Sequence, residues 1–356
     1  MLFEDFSTCQ RNTRYYGGNA GNKYGITYQG NNWILKFPKK TSDLINPQIS
    51  YTTSPLSEYI GSRIYALQGI PVHETILGTA YPPSSESERL VVACKDFRPS
   101  DQRFTDFKEI KNAQFFSDGT EGTSGNGTVL SEVLETISAS PAFEGLRAEV
   151  SNRFWDQFVI DFIIGNNDRN NTNWGLLAND EKILGLAPVF DNGNAFFNKR
   201  SLGQFEKRLT SLQDVRADAY LGFTCAYLND QGGHIHPHEL IASAQYSGCN
   251  DALVRFMSHY NQANVVNLID DIPAYDRTIS ILPQAQKEFY LKVIDIRINE
   301  VLVPTYKAIK QSSLTMDRED HLQSPTLSDQ ARSAERATQN TVSPPDPQRS
   351  EITPEI

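Results

Sequence analysis

At 356 residues the chain is long enough for one two-lobed domain or two smaller ones, and its 39% hydrophobic content leaves room for an unstructured segment. A net charge of −10 with a pI near 5.2 argues against a nonspecific nucleic-acid or anionic-membrane surface. Four cysteines (Cys9, Cys94, Cys225, Cys249) stand far apart without a CxxC pair, the usage of reduced thiols rather than of a disulfide framework or zinc site, and no run approaches the about 18 apolar residues of a membrane span.

The start, MLFEDFSTCQRN, has neither the basic n-region nor the apolar run of a Sec-type signal, so the expectation is a protein made soluble in a cytoplasm. Residues 14–40, RYYGGNAGNKYGITYQGNNWILKFPKK, read as a glycine-rich loop between strands and then a hairpin turned at Gly30-Asn31-Asn32. Ile34, Leu35 and Phe37 surround Lys36. A lysine inside an apolar strand needs a partner, because a buried unpaired ammonium is costly. It is either a phosphate-binding lysine or an edge-strand lysine facing solvent. Gly17, Gly18 and Gly21, exposing backbone N–H groups shortly before it, favour the first.

Residues 55–68 predict an amphipathic helix with Ile60, Ile64 and Leu67 on one face and Ser54 or Ser57 as cap. Glu58 near its start is placed either to pair with Lys36 or to meet the helix dipole. TILGTAYPPSSESERLVVACKDF reads as a hairpin with a polar tip at 82–88, whose second strand, 90–94, is buried on both faces and runs into Lys95-Asp96-Phe97. A loop at 116–128 precedes a helix from about Leu130 to Ile137.

The centre of the chain is 154–197. Apolar positions at Phe154, Phe158, Phe162 and at Trp155, Val159, Ile163 predict a broadly buried helix ending at Gly165. Then comes GNNDRNNTNWG, a short hairpin, and a buried strand delivering Asp191 onto the turn Asp191-Asn192-Gly193. Asp168, Asn173 five residues on, and Asp191 at a strand end match how a phosphotransferase holds a hydroxyl and magnesium. Transfer of a phosphoryl group is mostly positioning and charge stabilisation. Asp168 is the candidate base and orienter. Asn173 and Asp191 offer the hard oxygens magnesium prefers, and Gly193 lets the backbone turn.

Helices follow near 208–222, 237–246, 250–259, 261–270 and 283–311, the last interrupted at Pro304. His234, His236 and His238 read as a turn into a helix, since no carboxylate completes a ligand pattern. From about Gln311 the composition turns to Ser, Thr, Pro and charge, a tail that cannot offset its ordering entropy.

With these motifs in order, the chain resembles the HipA-like serine/threonine kinases, in particular the CtkA (cell-translocating kinase A) type. The likeness is carried by GGNAGNK, ILKFP, SEYI, VVACKDF, FWDQF…GNNDRNNTNWG, APVFDNG and QKEFYLKVID. It implies an α+β, two-lobed protein-kinase-like fold. A small β-rich N-lobe spans 1–97, a mostly helical C-lobe 98–310 and a disordered C-terminal tail 311–356. It also implies ATP and Mg2+ as cofactors. Gly18, Asn19, Ala20, Gly21, Asn22 and Lys23 would cover the phosphates, Lys36 contact them with Glu58 as its partner, and Cys94, Lys95, Asp96 and Phe97 form the adenine hinge. Asp168 would be the catalytic aspartate, aided by Lys36 and Asn173, with Asn173 and Asp191 as metal ligands. The sequence departs from the family in three ways: Asn170 stands where DRHxxN has histidine, GGNAGNK lacks the serine that toxin relatives autophosphorylate, and the loop begins near residue 14 without their extra N-terminal subdomain.

The function expected is an ATP- and magnesium-dependent serine/threonine protein kinase acting on itself and a protein substrate. The alternatives are a small-molecule or phosphoinositide kinase, or a nucleotide-binding pseudokinase serving as an interaction module. Against the last, Lys36, Asp168, Asn173 and Asp191 are all present. The resemblance leaves the partner open between an antitoxin and a host signalling protein, and the location open between the cytoplasm and translocation by a route independent of signal peptides. No direct nucleic-acid or membrane contact is expected.

Overall fold

Two short strands open the chain, β1 (Phe3–Asp5) and β2 (Gln10–Arg11), and they become the opposite edges of one six-stranded sheet. This computed structural model describes residues 3–14, 16, 23–42, 47–83, 85–117 and 127–323. Next come β3 (Lys23–Tyr28), β4 (Asn31–Lys36), helix α1 (Ser54–Leu67), β5 (Thr75–Ala80) and β6 (Arg89–Lys95), giving the sheet order β1-β5-β6-β4-β3-β2. The β3–β4 hairpin turns at Gln29-Gly30, one residue earlier than the sequence suggests. Both residues have positive φ, 47° and 73°, the twist that a two-residue hairpin turn requires.

The pleat divides β4 in two. Trp33, Leu35 and Phe37 join Phe6, Ile26, Ile76, Val91 and Ala93 in one buried cluster. Lys36 therefore points to the other face, toward α1, which lies against β5 and β6. Burying Ile60, Ile64 and Tyr65 holds α1 there. Its cap is Thr53, without a side-chain bond, and Pro55 lies in the first turn, where its missing N–H costs nothing. Neither Ser54 nor Ser57 caps the helix.

The helical lobe begins with β7 (Arg103–Asp106), α2 (Phe107–Ser117), α3 (Leu130–Ala139) and α4 (Arg147–Ile164). Strands β8 (Gly175–Ala178) and β9 (Ile183–Leu186) join β7 in a three-stranded sheet. Then follow α5 (Leu202–Leu209), α6 (Leu212–Arg216), α7 (Pro237–Ser243), α8 (Ser247–His259), α9 (Gln262–Asp270), the small ladder β10 (Tyr275–Asp276) with β11 (Ile279–Ser280), α10 (Gln284–Ile296) and α11 (Val303–Gln323). The chain is thus a two-lobed α+β fold, one lobe built on the six-stranded sheet and the other mostly helical. By its contacts it divides into Met1–Tyr306 and Lys307–Ile356.

Three details differ from expectation. Asp191 does not end a strand: β9 stops at Leu186, Pro188 has no N–H to donate, and only a bridge between Val189 and Val72 leads up to it. The interruption at Pro304 takes the form of a π-helical segment, Arg297–Leu302, just before it. Helix α11 continues past the change of composition at Gln311, while 324–356 lie outside the described residues. The histidines behave as a turn: His236 precedes α7, and the rings of His234 and His236 pair with the carbonyls of Cys225 and Phe223.

Candidate active site

Helix α4 sets the loop that carries Asp168 and Asn173. Phe154, Trp155, Phe158, Val159, Phe162 and Ile163 are all buried, and Gly165 closes the helix in the left-handed region at φ 70°. The loop is anchored on Asp161 in the last turn of α4. Asn166 bonds Asp161 through both backbone and side chain (2.9 and 3.1 Å), and Arg169 forks onto its carboxylate (2.8 and 3.1 Å). Arg169, 2% exposed, also donates to the carbonyls of Asn173 and Phe190. Burial alone would lower its pKa, but Asp161 outweighs that and raises it. With Arg169 turned inward, Asp168 is left facing outward. Its backbone N–H is held by Asn166 Oδ1 (3.2 Å), and its Oδ1 accepts from Asn170 Nδ2 (3.0 Å). Asn170 is thus the direct partner of the carboxylate, and its own Oδ1 closes a turn on Thr172.

Asn173 donates through Nδ2 to the Asp168 carbonyl (2.6 Å), which fixes the amide so that Oδ1, which accepts from Thr172 Oγ1 at 3.4 Å, is the end with a lone pair left for a ligand. Asp191 has φ 60°, a left-handed conformation costing about 1–2 kcal/mol for a non-glycine residue. Such a departure is the kind that function maintains. Lys36 lies between Glu58 Oε2 (2.9 Å) and Asp191 Oδ1 (3.0 Å). Burial would depress this ammonium, yet Asp191 and Glu58 together raise its pKa well above the ordinary lysine value. Burial pushes the Glu58 carboxyl up, and Lys36 and His73 more than reverse that; Lys36 lowers Asp191 as well.

A cavity of about 600 Å³ collects Lys23, Lys36, Glu58, Asp168, Asn173 and Asp191, with Lys39 and Lys199 at its edge. Lys23 stands directly opposite Lys36 across β3 and β4, and burial and Lys36 lower its pKa. Like charges facing each other destabilise a strand pair, so a polyanion in this cavity would relieve the repulsion. The oxygens of Asn173 and Asp191 are the hard donors that suit magnesium. These residues fit a nucleotide triphosphate with its metal. Gly18, Asn19, Ala20, Gly21 and Asn22 lie outside the described residues.

The hinge segment does not line this cavity. Cys94 is buried and paired within the sheet. Lys95 N–H donates to Glu74 O (2.8 Å) and Asp96 N–H to Asn32 O (2.9 Å), so neither donor is open to a base. The Asp96 carboxylate, 2% exposed, is held by Arg14 and Arg98 (2.9 and 3.1 Å). Among the described residues Phe97 N–H makes no hydrogen bond, which makes it the open donor of the segment. Its ring packs on Phe104 and Phe190.

Several site residues carry no sequence pattern. His73 Nε2 lies 2.8 Å from Glu58 Oε1 and 3.2 Å from Ser62 Oγ. Glu58, His73 and Cys94 stand close enough to hold a metal ion. The Lys36 ammonium already against Glu58 opposes a cation there, and burial raises the Cys94 thiol far out of the thiolate range.

No family model matches the chain. It is 30% identical over 300 residues, 84% of its length and 86% of the other protein, to the serine/threonine-protein kinase CtkA of Helicobacter pylori. The crystal structure of a Helicobacter pylori proinflammatory kinase CtkA superposes with a TM-score of 0.74 at 26% identity, covering 86% of this chain and 98% of that one. A structure of the Shewanella oneidensis toxin–antitoxin proteins HipA and HipB with operator DNA gives a TM-score of 0.46 at 13% identity, covering 84% of this chain and 67% of that one. The chain belongs to the CtkA family of serine/threonine-protein kinases and is a protein phosphotransferase.

Proposed function

We propose that the chain transfers the γ-phosphoryl group of ATP, with Mg2+, to serine or threonine hydroxyls of itself and of a protein substrate. The observation that carries this reading is Lys36 held between Glu58 and Asp191 in the cavity that Asp168 and Asn173 also line. When bound, the metal nucleotide supplies the phosphoryl group and the charge that neutralises its oxygens.

The chain's own residues do the positioning. Lys36, fixed by Glu58, presents one ammonium to the phosphates, and Lys23 a second. Asn173 Oδ1 and the Asp191 carboxylate hold the metal. Asp168 orients the acceptor: Asn170 engages one carboxylate oxygen, leaving the other to accept the hydroxyl proton. Phe97 N–H, outside the cavity lined by Lys36 and Asp191, is the donor left for the adenine edge. The similar Helicobacter structure is described as a proinflammatory kinase, which favours a host protein over an antitoxin as the substrate.

The test is transfer from γ-labelled ATP to the protein itself and to a generic acceptor protein, with phosphoserine and phosphothreonine located by mass spectrometry. Wild type with Mg2+ transfers; Asp168→Asn and Asp191→Asn do not. Transfer surviving in both variants, or wild type labelling only lipid or small molecules, contradicts the reading.

A further inference from the structure

We infer that Asn192 is a positioning residue that joins α1 to the catalytic loop, so that the Lys36–Glu58 pair and Asp168 are already assembled before any ligand or activating event. The inference rests on the kinase reading above.

Asn192 is fully buried, directly after Asp191. On one side it receives Arg169 at 2.6 Å, on the other it touches Ser62 at 3.1 Å. A guanidinium only donates. Oδ1 must therefore face Arg169, which leaves Nδ2 to donate to Ser62 Oγ. Ser62 lies one turn after Glu58 on α1 and so on the same face. The Glu58 carboxylate, held ionised by Lys36, only accepts, so His73 Nε2 carries the proton between them. Polar contacts thus run from Asp161 at the end of α4 through Arg169, Asn192 and Ser62 to His73 and Glu58, the His73 Nε2–H being shared between Glu58 Oε1 (2.8 Å) and Ser62 Oγ (3.2 Å).

Packing and backbone agree. A Cβ added at Gly61 would meet Asn192 Cβ at 2.8 Å, so α1 rests on Asn192 with no room for a side chain. Both ends of α1 are tied to the same segment. Thr53 N–H donates to Asn198 O (2.8 Å), His73 N–H to Val189 O (3.0 Å) and Val189 N–H to Pro71 O (2.9 Å). In protein kinases with the DFG motif this position is a phenylalanine whose packing sets the active or inactive state, and movement of the glutamate-bearing helix is the control. Here an outward swing of α1 would strand buried donors and acceptors at Arg169, Asn192 and Ser62 and break three main-chain bonds. The device is a fixed strut instead of a switch.

The test combines hydrogen exchange of the α1 amides, in protein free of nucleotide, with steady-state kinetics. In wild type the α1 amides exchange as slowly as those of α4. Asn192→Leu keeps the branching at Cγ, with a larger side chain, but cuts both bonds. It speeds α1 exchange and lowers kcat by roughly a hundredfold, the effect of an ångström-scale misplacement, with KM for the protein substrate little changed. Asn192→Asp accepts from Arg169 and from the Ser62 hydroxyl turned to donate, and it restores both readouts. Ser62→Ala, which cuts the α1 side alone, repeats the Asn192→Leu result and stands in for it if that variant does not fold. Rapid α1 exchange in active wild type, or unchanged exchange and kcat in both Asn192→Leu and Ser62→Ala, overturns the inference. If wild type transfers no phosphoryl group the kinase reading falls instead, and the exchange measurement still decides the coupling.

Discussion

Replacing Glu58 by glutamine tests the anchoring of Lys36. Glu58 is 1% exposed and accepts from Lys36 at 2.9 Å and from His73 at 2.8 Å. Glutamine keeps the shape, with its oxygen accepting from Lys36 and its NH2 donating to His73 Nε2 in the other tautomer, and Lys36 keeps Asp191 at 3.0 Å, so no ammonium is orphaned. What disappears is the charge assistance of two hydrogen bonds. A bond to a charged group contributes about 1 kcal/mol more than a neutral one, so the loss is about 2 kcal/mol. In a chain of this size that lowers Tm by about 3 °C. With Lys36 then drawn to Asp191 alone, kcat/KM falls roughly 10- to 100-fold. The stability gap also has a predictable pH dependence. Glu58 is depressed below its ordinary 4.5, so its contribution is full above that value and fades as pH falls toward the folded pKa. Lys36 is raised above 10.5, so its contribution is full below that value and fades only at higher pH. Denaturant melts of both proteins should differ by a constant amount between about pH 5 and 10 and converge in acid. No gap at neutral pH, or one that widens below pH 4.5, refutes the reasoning.

Gly61→Ala would ordinarily gain about 1 kcal/mol of helix propensity, but the 2.8 Å approach to Asn192 reverses the sign. Overpacking of about 1–3 kcal/mol should lower the denaturant midpoint and the activity together. Asn170→Ala removes the partner of Asp168 Oδ1 and the turn on Thr172 at a surface-facing loop. It should lower kcat about tenfold while Tm moves by less than about 3 °C, as read by kinetics and calorimetry. Arg297, 1% exposed, donates to the carbonyls of Ile163, Asp218 and Ala219 behind the end of α4. Lysine cannot reproduce that fork, so Arg297→Lys should cost about 2–4 kcal/mol in chemical denaturation.

What the sequence disclosed was what local pattern encodes. Lys36 stands out as a charge inside an apolar strand. Asp168 and Asn173 follow a helix whose two apolar stripes announce burial, and Asp191 precedes a turn. Glu58 was legible only as an alternative, because an acid in a first helical turn has a commoner explanation. His73, Ser62, Arg169 and Asn192 gave no signal: each is an ordinary residue type, and their contacts join positions that folding alone brings together. The turn falls at Gln29-Gly30, one residue before the position the sequence suggests, since Asn31 and Asn32 are also turn formers and only φ distinguishes them. Pro188 was visible, but its effect in ending the ladder before Asp191 depends on which neighbour would have paired there.

The central claim is that this cavity transfers phosphoryl groups with Asp168 orienting the acceptor. Single-turnover transfer from Mg2+-ATP by wild type and Asp168→Asn, with nucleotide affinity measured separately by titration, tests it most directly. The account predicts that the variant loses transfer by about 10³-fold or more while its ATP affinity stays within about threefold, since Asp168 contacts the acceptor and not the nucleotide. Transfer persisting in Asp168→Asn, or lost only in proportion to lost ATP affinity, would contradict it.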